Sequence, residues 1–330
     1  MRFTVIKPGL LTTVQDQGRP GLQGQGIPVG GAVDAFAVRV ANALVGNDDG
    51  LAVLEMAVQG PQLRAEQDGL VATCGRGLGL SVDGADVPSD RPVRVRAGEI
   101  LACAPQSSGA RAWLAFAGGI DVPLVFGSRS TYVRGRMGGF EGRPLIAGDV
   151  VNVGTRSPWS DAVIRELDAQ GRRHVAWSVR PETLGRVAAA GGMRIVRAPE
   201  WGRFSPEAHG LLCATSYVVT KDVDRMGMRL QGARLELTKP REEISSGMNV
   251  GVVQVPPSGQ PIVLLVGRQS VGGYPRIAAV VTVDHGRLAQ MLPGDELTFS
   301  EVTVVEAHRL LAARERDFRR IKDELRRRAS

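Results

Sequence analysis

Short runs of β-branched and apolar residues recur along the chain, each bounded by glycine, proline or aspartate. They fall at Phe3–Ile6, Leu51–Val58, Ala112–Phe116, Val150–Val153, Arg194–Val196, Tyr217–Thr220, Val252–Val255, Ile262–Val266, Ala278–Val283 and Thr303–Val305. Runs of this length between turn formers predict strands, so the chain reads as mainly β. Two stretches carry helical spacing instead. In Asp34–Val45, Phe36, Val40 and Leu44 repeat on one face and Asp34 is placed to cap the start. After Val305, the residues Leu311, Arg314, Phe318, Ile321 and Leu325 share a face and charges fill the rest, which predicts an amphipathic helix to the C-terminus. One segment fits neither pattern. Between the apolar runs Pro261–Val266 and Ile277–Val283 lies the insert GRQSVGGYPR, residues 267–276. Two buried strands need no such collection of arginines, amide, hydroxyl and paired glycines between them.

A length of 330 residues suggests about two domains. The apolar pattern loosens between Gly154 and Gly192, where Ser157-Pro158, a short helix at Asp161–Gln170, an arginine-rich patch and the small-residue run Ala188–Gly192 follow one another. The expected division is therefore 1–155, a linker region 156–192, a second β domain 193–305 and a helix 306–330. The two β halves echo each other. Asp16, Arg19 and Gly21 align with Asp222, Arg225 and Gly227, and Ser128-Arg129 and Gly138-Gly139 recur in order as Gly267-Arg268 and Gly272-Gly273. A duplicated β domain is the simplest account.

Charge narrows the function classes. The net charge is +7, but residues 306–330 hold nine basic against five acidic residues and so carry four of the seven charges. The body is close to neutral, only four of the cations are lysines and aromatic residues are 5% of the chain, which argues against a nucleic-acid partner. Three dispersed cysteines and four dispersed histidines give neither zinc spacing nor a disulfide framework, so no metal site is expected. No apolar run reaches membrane-spanning length, and a cytoplasmic protein without membrane association is the expectation. Phosphate-loop, dinucleotide-fingerprint, nucleophile-elbow and HExxH signatures are absent.

The remaining chemistry is a set of polar clusters in glycine-rich loops: Gln15-Asp16 with Arg19, Gly30–Asp34 with Asn42 and Asn47, Gly127–Thr131, Asp224–Gly227, and the insert. Arginine offers a planar, two-pronged donor suited to carboxylate or phosphate, and paired glycines let backbone N–H groups approach an anion. Each cluster also has a plain structural reading as a tight turn held by an ion pair.

Together QDQGRPG, IPVGGAVD, ANALVGN, LEMAVQGPQL, AGGIDVP, GSRST, GGFEGRPL, DRMGMRLQG, QVPPSGQPIVLL, RQSVGGYPRIA and RLAQMLPGDELTF resemble the biotin-dependent carboxyltransferase family, also called allophanate hydrolase subunit 2, which includes KipA and the 5-oxoprolinase C-subunit. The resemblance runs from about residue 3 to residue 305. It implies two cyclophilin-like β-barrel subdomains with a few short helices and a C-terminal amphipathic helix. It further implies a KipI-like (allophanate hydrolase subunit 1) partner, a third oxoprolinase subunit, a small-molecule amide substrate, and ATP at a site shared with a partner. The chain lacks the Met-Lys-Met context of a biotin-carrying lysine, so no biotin is expected on it. Three activities fit: ATP-dependent opening of 5-oxoproline, carboxyl transfer from carboxybiotin to a urea-like substrate, and non-catalytic KipA-type regulation of a partner.

On this resemblance Arg129, Arg225 and Arg268 would hold the anionic part of a substrate or acyl phosphate, with Arg19, Ser130, Thr131, Ser270 and Arg276 completing the binding set. Gly272 and Gly273 would offer backbone donors to an oxyanion. Gln254, Gln269 and Tyr274 would orient an amide. Asp16 and Asp34 are either acid/base groups or turn locks. In relatives the insert typically reads Asp-Arg-Gln-Thr-Thr-Gly-Gly-Tyr-Pro-Lys, and this chain departs from it at Gly267, Ser270, Val271 and Arg276. Ala198-Pro199-Glu200 likewise stands where Gly-Pro-His/Gln is usual.

Overall fold

The computed structural model describes residues 1–106, 108–179, 191–239 and 245–328. The chain forms two compact units, each discontinuous in sequence. Unit 1 takes Met1–Arg19, Asp34–Arg186 and Arg316–Ser330, and unit 2 takes Pro20–Val33 and Val187–Glu315. Where a linker region was expected, residues 158–169 form a helix of unit 1, and part of the small-residue run, residues 188–190, lies outside the described residues. The fold is mainly β, in two barrel-like subdomains of the cyclophilin-like kind with a C-terminal helix.

Unit 1 is built on two antiparallel sheets. One runs Val150–Asn152, Arg2–Lys7, Gln62–Ala65, Ile100–Pro105, Leu78–Val82 and Ala85–Val87; the other runs Leu11–Gln15, Val53–Ala57, Arg111–Phe116, Gly69–Gly75 and Val93–Val95. Strand alternation sends Phe3, Val5, Leu54, Met56, Leu114 and Phe116 into one core, where the rings of Phe3 and Phe116 stack at 4.6 Å. The other face of the second sheet is covered by α1 (Ala35–Leu44), so Gly69–Gly75 is buried along its whole length. Asp34 caps α1 as expected, its carboxylate accepting from the N–H groups of Phe36 and Ala37. α2 (Pro158–Ala169) starts earlier than its apolar spacing suggests, because Ser157 accepts from Ser160 N–H and Pro158 takes the first helical turn.

Unit 2 is an eight-stranded sheet in the order Glu296–Leu297, Tyr217–Val223, Gly227–Gln231, Ile262–Leu264, Val252–Gln254, Arg276–Val280, Met193–Arg197 and Phe299–Glu301. Its first and last strands are separated in sequence by Thr298 alone. One residue cannot span an open sheet, so the sheet curls until its ends meet. Inside sit Ile195, Val253, Val263, Ile277 and Phe299, closed at one side by Phe204 and by Leu212 of α3 (Pro206–Ala214). The short helix α4 (His285–Leu288) follows the strand Arg276–Val280. α5 (Val304–Arg327) begins where a strand was expected at Thr303–Val305. Thr303 Oγ1 accepts from Glu306 N–H and caps the helix, and the strand is Phe299–Glu301 instead.

The C-terminal part of α5 belongs to unit 1. Phe318 is 1% exposed, meets Phe36 edge-on at 5.7 Å and lies under the Arg39 guanidinium at 4.2 Å. Lys322 pairs with Asp49 at 2.7 Å, and Trp159 Nε1 donates to the Leu325 carbonyl. Phe318→Ala is expected to lower the stability of this unit by about 3–5 kcal/mol, read as a shift of its urea unfolding transition. A loss below about 1 kcal/mol would show that the helix is not docked in solution.

Candidate binding site

The residues singled out from sequence separate into two groups, one in each unit. Asp16, Arg19, Asp34, Arg129, Ser130 and Thr131 lie in unit 1, and the others lie in unit 2.

In unit 1 the loop residues bond chiefly to one another; Arg19 Nη1 and Gln15 Oε1 are enclosed without a partner among the described residues, but the negative charge of Asp16 lies near Arg19. Asp16 Oδ1 accepts from Gly18 N–H at 2.7 Å and from the hydroxyls of Ser128 and Ser130, and Oδ2 accepts from Arg129 N–H. Arg19, 1% exposed, donates Nη2 to the Ser130 carbonyl, and Arg129 donates Nε to the Val122 carbonyl at 2.9 Å. Thr131 Oγ1 and N–H both donate to the Val14 carbonyl. The paired glycines serve this closure: a Cβ on Gly139 would stand 1.8 Å from Thr131 Oγ1, and one on Gly138 2.3 Å from the Ser130 carbonyl oxygen. Their φ angles of +58° and +66° exclude a side chain independently.

In unit 2 the corresponding turns stand open. Asp224 forms an Asx turn, Oδ1 accepting from Met226 and Gly227 N–H groups, while Asp222 reaches into solvent and pairs with Arg229 only at 3.9 Å. Gly267 N–H donates to the Arg225 carbonyl at 2.7 Å, so the insert is tethered by backbone where unit 1 uses a carboxylate. Beside it opens a cleft of about 450 Å³ whose walls include Lys221, Asp222, Asp224, Gln254, Arg268, Gln269 and Tyr274. This is within the volume range of small-molecule sites.

Arg268 is the distinctive member. It is 5% exposed, Nε donates to the Met248 carbonyl at 3.0 Å, and Nη1 is enclosed without a partner. No carboxylate among the described residues pairs with it, and burial pushes its pKa down from the usual arginine value. An uncompensated buried guanidinium at a cleft wall is costly unless a ligand supplies the counter-charge. Gln254, 3% exposed, donates Nε2 to the Tyr274 carbonyl and sits so close to Gly272 that a Cβ there would lie 2.9 Å from Nε2. Ser270 Oγ is enclosed without a partner, Gly273 is exposed, and Tyr274 is 47% exposed. Arg225, pushed down to about 10 by burial, donates Nη2 to the Gly31 carbonyl, which lies in the N-terminal segment of the same unit.

Two sequence departures prove to be partners in space. Arg276 donates Nε to Glu200 Oε2 and Nη2 to Oε1, both at 2.6 Å, and its backbone N–H also reaches Oε2. The Arg276 guanidinium holds the Glu200 carboxyl below the usual range. The sign follows from that direction: the pair's stabilisation is fully present above the unfolded carboxyl value of about 4.3 and is lost as pH falls through the lower folded value. The melting temperature of wild type is expected to exceed that of Glu200→Gln by a constant margin above about pH 5, with the margin shrinking at lower pH. A margin independent of pH down to about pH 3 would exclude the pair as its source.

Residues 25–301 match the family described as carboxyltransferase domain, subdomain A and B. The chain belongs to this family. Among relatives of this carboxyltransferase-domain protein, the 5-oxoprolinase C-subunit of Escherichia coli (strain K12) is 36% identical over 317 residues, covering 96% of each chain. The Haemophilus influenzae protein of the same name is 35% identical, covering 94% of this chain and 96% of its own. Among solved structures, that of the K. lactis urea amidolyase superposes with a TM-score of 0.86 at 25% identity; the match covers 97% of this chain and 20% of that one. The insert is recognisable in the sequence, whereas nothing there marks Lys221 and Arg229 as site residues, and Asp222 is marked only as the counterpart of Asp16 in the repeat. Asp222 and Arg229 are surface residues on paired strands, and the second of these pairs in turn with Ile262–Leu264, which leads into the insert.

Among the described residues no three His, Cys, Asp or Glu side chains gather to hold a metal, and no helix is long and apolar enough to cross a membrane.

Proposed function

We propose that this chain is a subunit of an ATP-dependent 5-oxoprolinase, converting 5-oxoproline, ATP and water to glutamate, ADP and phosphate together with a KipI-like subunit and a third subunit. The observation that carries the reading is Arg268, a buried cation without an acid at the wall of a cleft furnished with amides. 5-Oxoproline presents one carboxylate for Arg268 and one lactam for the side chains of Gln254, Gln269 and Tyr274. The names of the two full-length relatives support the same substrate. No side chain in the cleft is an evident nucleophile, which suits a site completed by a partner that also shares ATP. In this assignment Arg268 binds, Gln254 and Gln269 orient, and the backbone N–H groups near Gly272 face developing negative charge on the lactam oxygen.

The test is glutamate release from 5-oxoproline by the chain co-expressed with its partner subunits, with and without ATP. Release that needs ATP and all subunits, and that falls at least a hundredfold in Arg268→Gln, is expected. Bicarbonate fixation onto urea that avidin blocks, with no glutamate formed, would replace this reading with carboxyl transfer. Tight partner binding without turnover in either assay would replace it with regulation.

A further inference from the structure

The insert ends on Arg276, whose register partner across the sheet is Gln254. Paired residues on adjacent strands project to the same face, so the Arg276 side chain leaves the sheet next to a residue that lines the cleft. Its charge does not face the cleft uncompensated. Glu200 takes Nε and Nη2, the Gly247 carbonyl accepts from Nη1 at 3.2 Å, and both partners of the ion pair are largely enclosed, at 17% and 19% side-chain exposure. Lys221 and Arg229 also border the cleft, but they are exposed and screened by water. Of the described cations lining this cleft, Arg268 is thus the one that is both buried and without an acid.

We propose that Glu200 determines specificity by positioning: it holds the Arg276 guanidinium away from the ligand, leaves Arg268 as the anion anchor, and limits the ligand to one carboxylate at that end of the cleft. The inference rests on reading the cleft as the substrate site. Glu200 touches no reacting atom in this scheme, and it acts through Arg276. Loss of its charge would release a second guanidinium beside Gln254 and give a dianion a second partner.

The experiment is calorimetric titration of the full chain with two probes, the monocarboxylate 5-oxoproline and the dicarboxylate glutarate. Wild type is expected to bind 5-oxoproline at least tenfold more tightly than glutarate, and Arg268→Gln to lose both. In Glu200→Gln the preference should collapse to near unity or invert, and in the double variant Glu200→Gln/Arg276→Gln it should return toward the wild-type ratio. A merely structural Glu200 would weaken both probes alike and leave the ratio unmoved. Should Glu200→Gln fail to fold, Arg276→Gln alone serves: the freed Glu200 carboxylate should weaken 5-oxoproline at least tenfold, and unchanged affinity overturns the inference. An unchanged ratio in Glu200→Gln, with Arg268→Gln still abolishing binding, overturns the role of Glu200 and leaves the cleft reading standing. Wild-type binding that is absent, or indifferent to Arg268→Gln, overturns both.

Discussion

Arg268→Met is expected to abolish ligand binding at the unit 2 cleft while leaving the chain as stable as wild type or more so. The two effects have one cause. In the free protein the guanidinium is held away from water with one hydrogen bond to the Met248 carbonyl and an enclosed Nη1 that meets nothing. Keeping a cation there is unfavourable, which is the sense of its lowered pKa. Replacing buried charge with an apolar side chain of similar length is commonly neutral or stabilising by about 1–4 kcal/mol. Against this stands the lost bond to the Met248 carbonyl, about 1 kcal/mol. In the bound state proposed above the balance would reverse, because removing one partner of a buried charge pair costs about 2–5 kcal/mol, or roughly thirtyfold to several thousandfold in affinity. Denaturation midpoints and titration with 5-oxoproline, made on the same preparation, check both halves. Marked destabilisation with affinity intact would assign Arg268 to the fold. Arg268→Lys should recover only part of the binding, since a point charge replaces a fork that matches carboxylate geometry.

What the sequence made legible follows the range of the interactions involved. Local signals transferred well: the Asp34 cap and the spacing of Phe36, Val40 and Leu44 give α1 almost to the residue, and apolar runs bounded by turn formers give strands in both units. The insert was visible because its polarity breaks the strand pattern on either side. α3 was missed because its apolar residues do not form a single stripe, so nothing but Ser205 and Pro206 announces it. The Thr303–Val305 error has a similar origin, a β-branched run that serves as a helix start once Thr303 turns its hydroxyl to Glu306. Site residues depend on longer range still. Whether an arginine's charge is compensated is decided by partners such as Glu200, 76 positions from Arg276, and its hydrogen bonds by groups as distant as the Ser130 carbonyl, 111 positions from Arg19. Periodicity carries no information about such pairs. The motif similarity between Asp16…Arg19 and Asp222…Arg225 likewise hides opposite outcomes, a sealed knot in unit 1 and an open cleft wall in unit 2.

That contrast sets up the second large effect. Asp16→Ala is expected to destabilise unit 1 by about 3–5 kcal/mol, the cost of removing one partner from a buried charged network. Four donors lose their acceptor at once: the N–H groups of Gly18 and Arg129 and the hydroxyls of Ser128 and Ser130. Arg19 loses the nearby negative charge that offsets its burial, in a pocket with 1% exposure. Asp16→Asn separates charge from shape. One amide oxygen still accepts, but the NH₂ group meets a donor where Oδ2 stood, so the loss should be about half as large or more. Had Asp16 been an acid/base group, these variants would lose turnover with stability intact and Asp16→Glu would restore part of it. The knot predicts the reverse: the unfolding transition of unit 1 shifts first, and any turnover that remains per folded molecule stays near the wild-type value. Urea unfolding followed alongside activity normalised to folded protein distinguishes the two, because a carboxylate that holds a loop together through four hydrogen bonds acts on the fold, whereas an acid/base group acts on turnover.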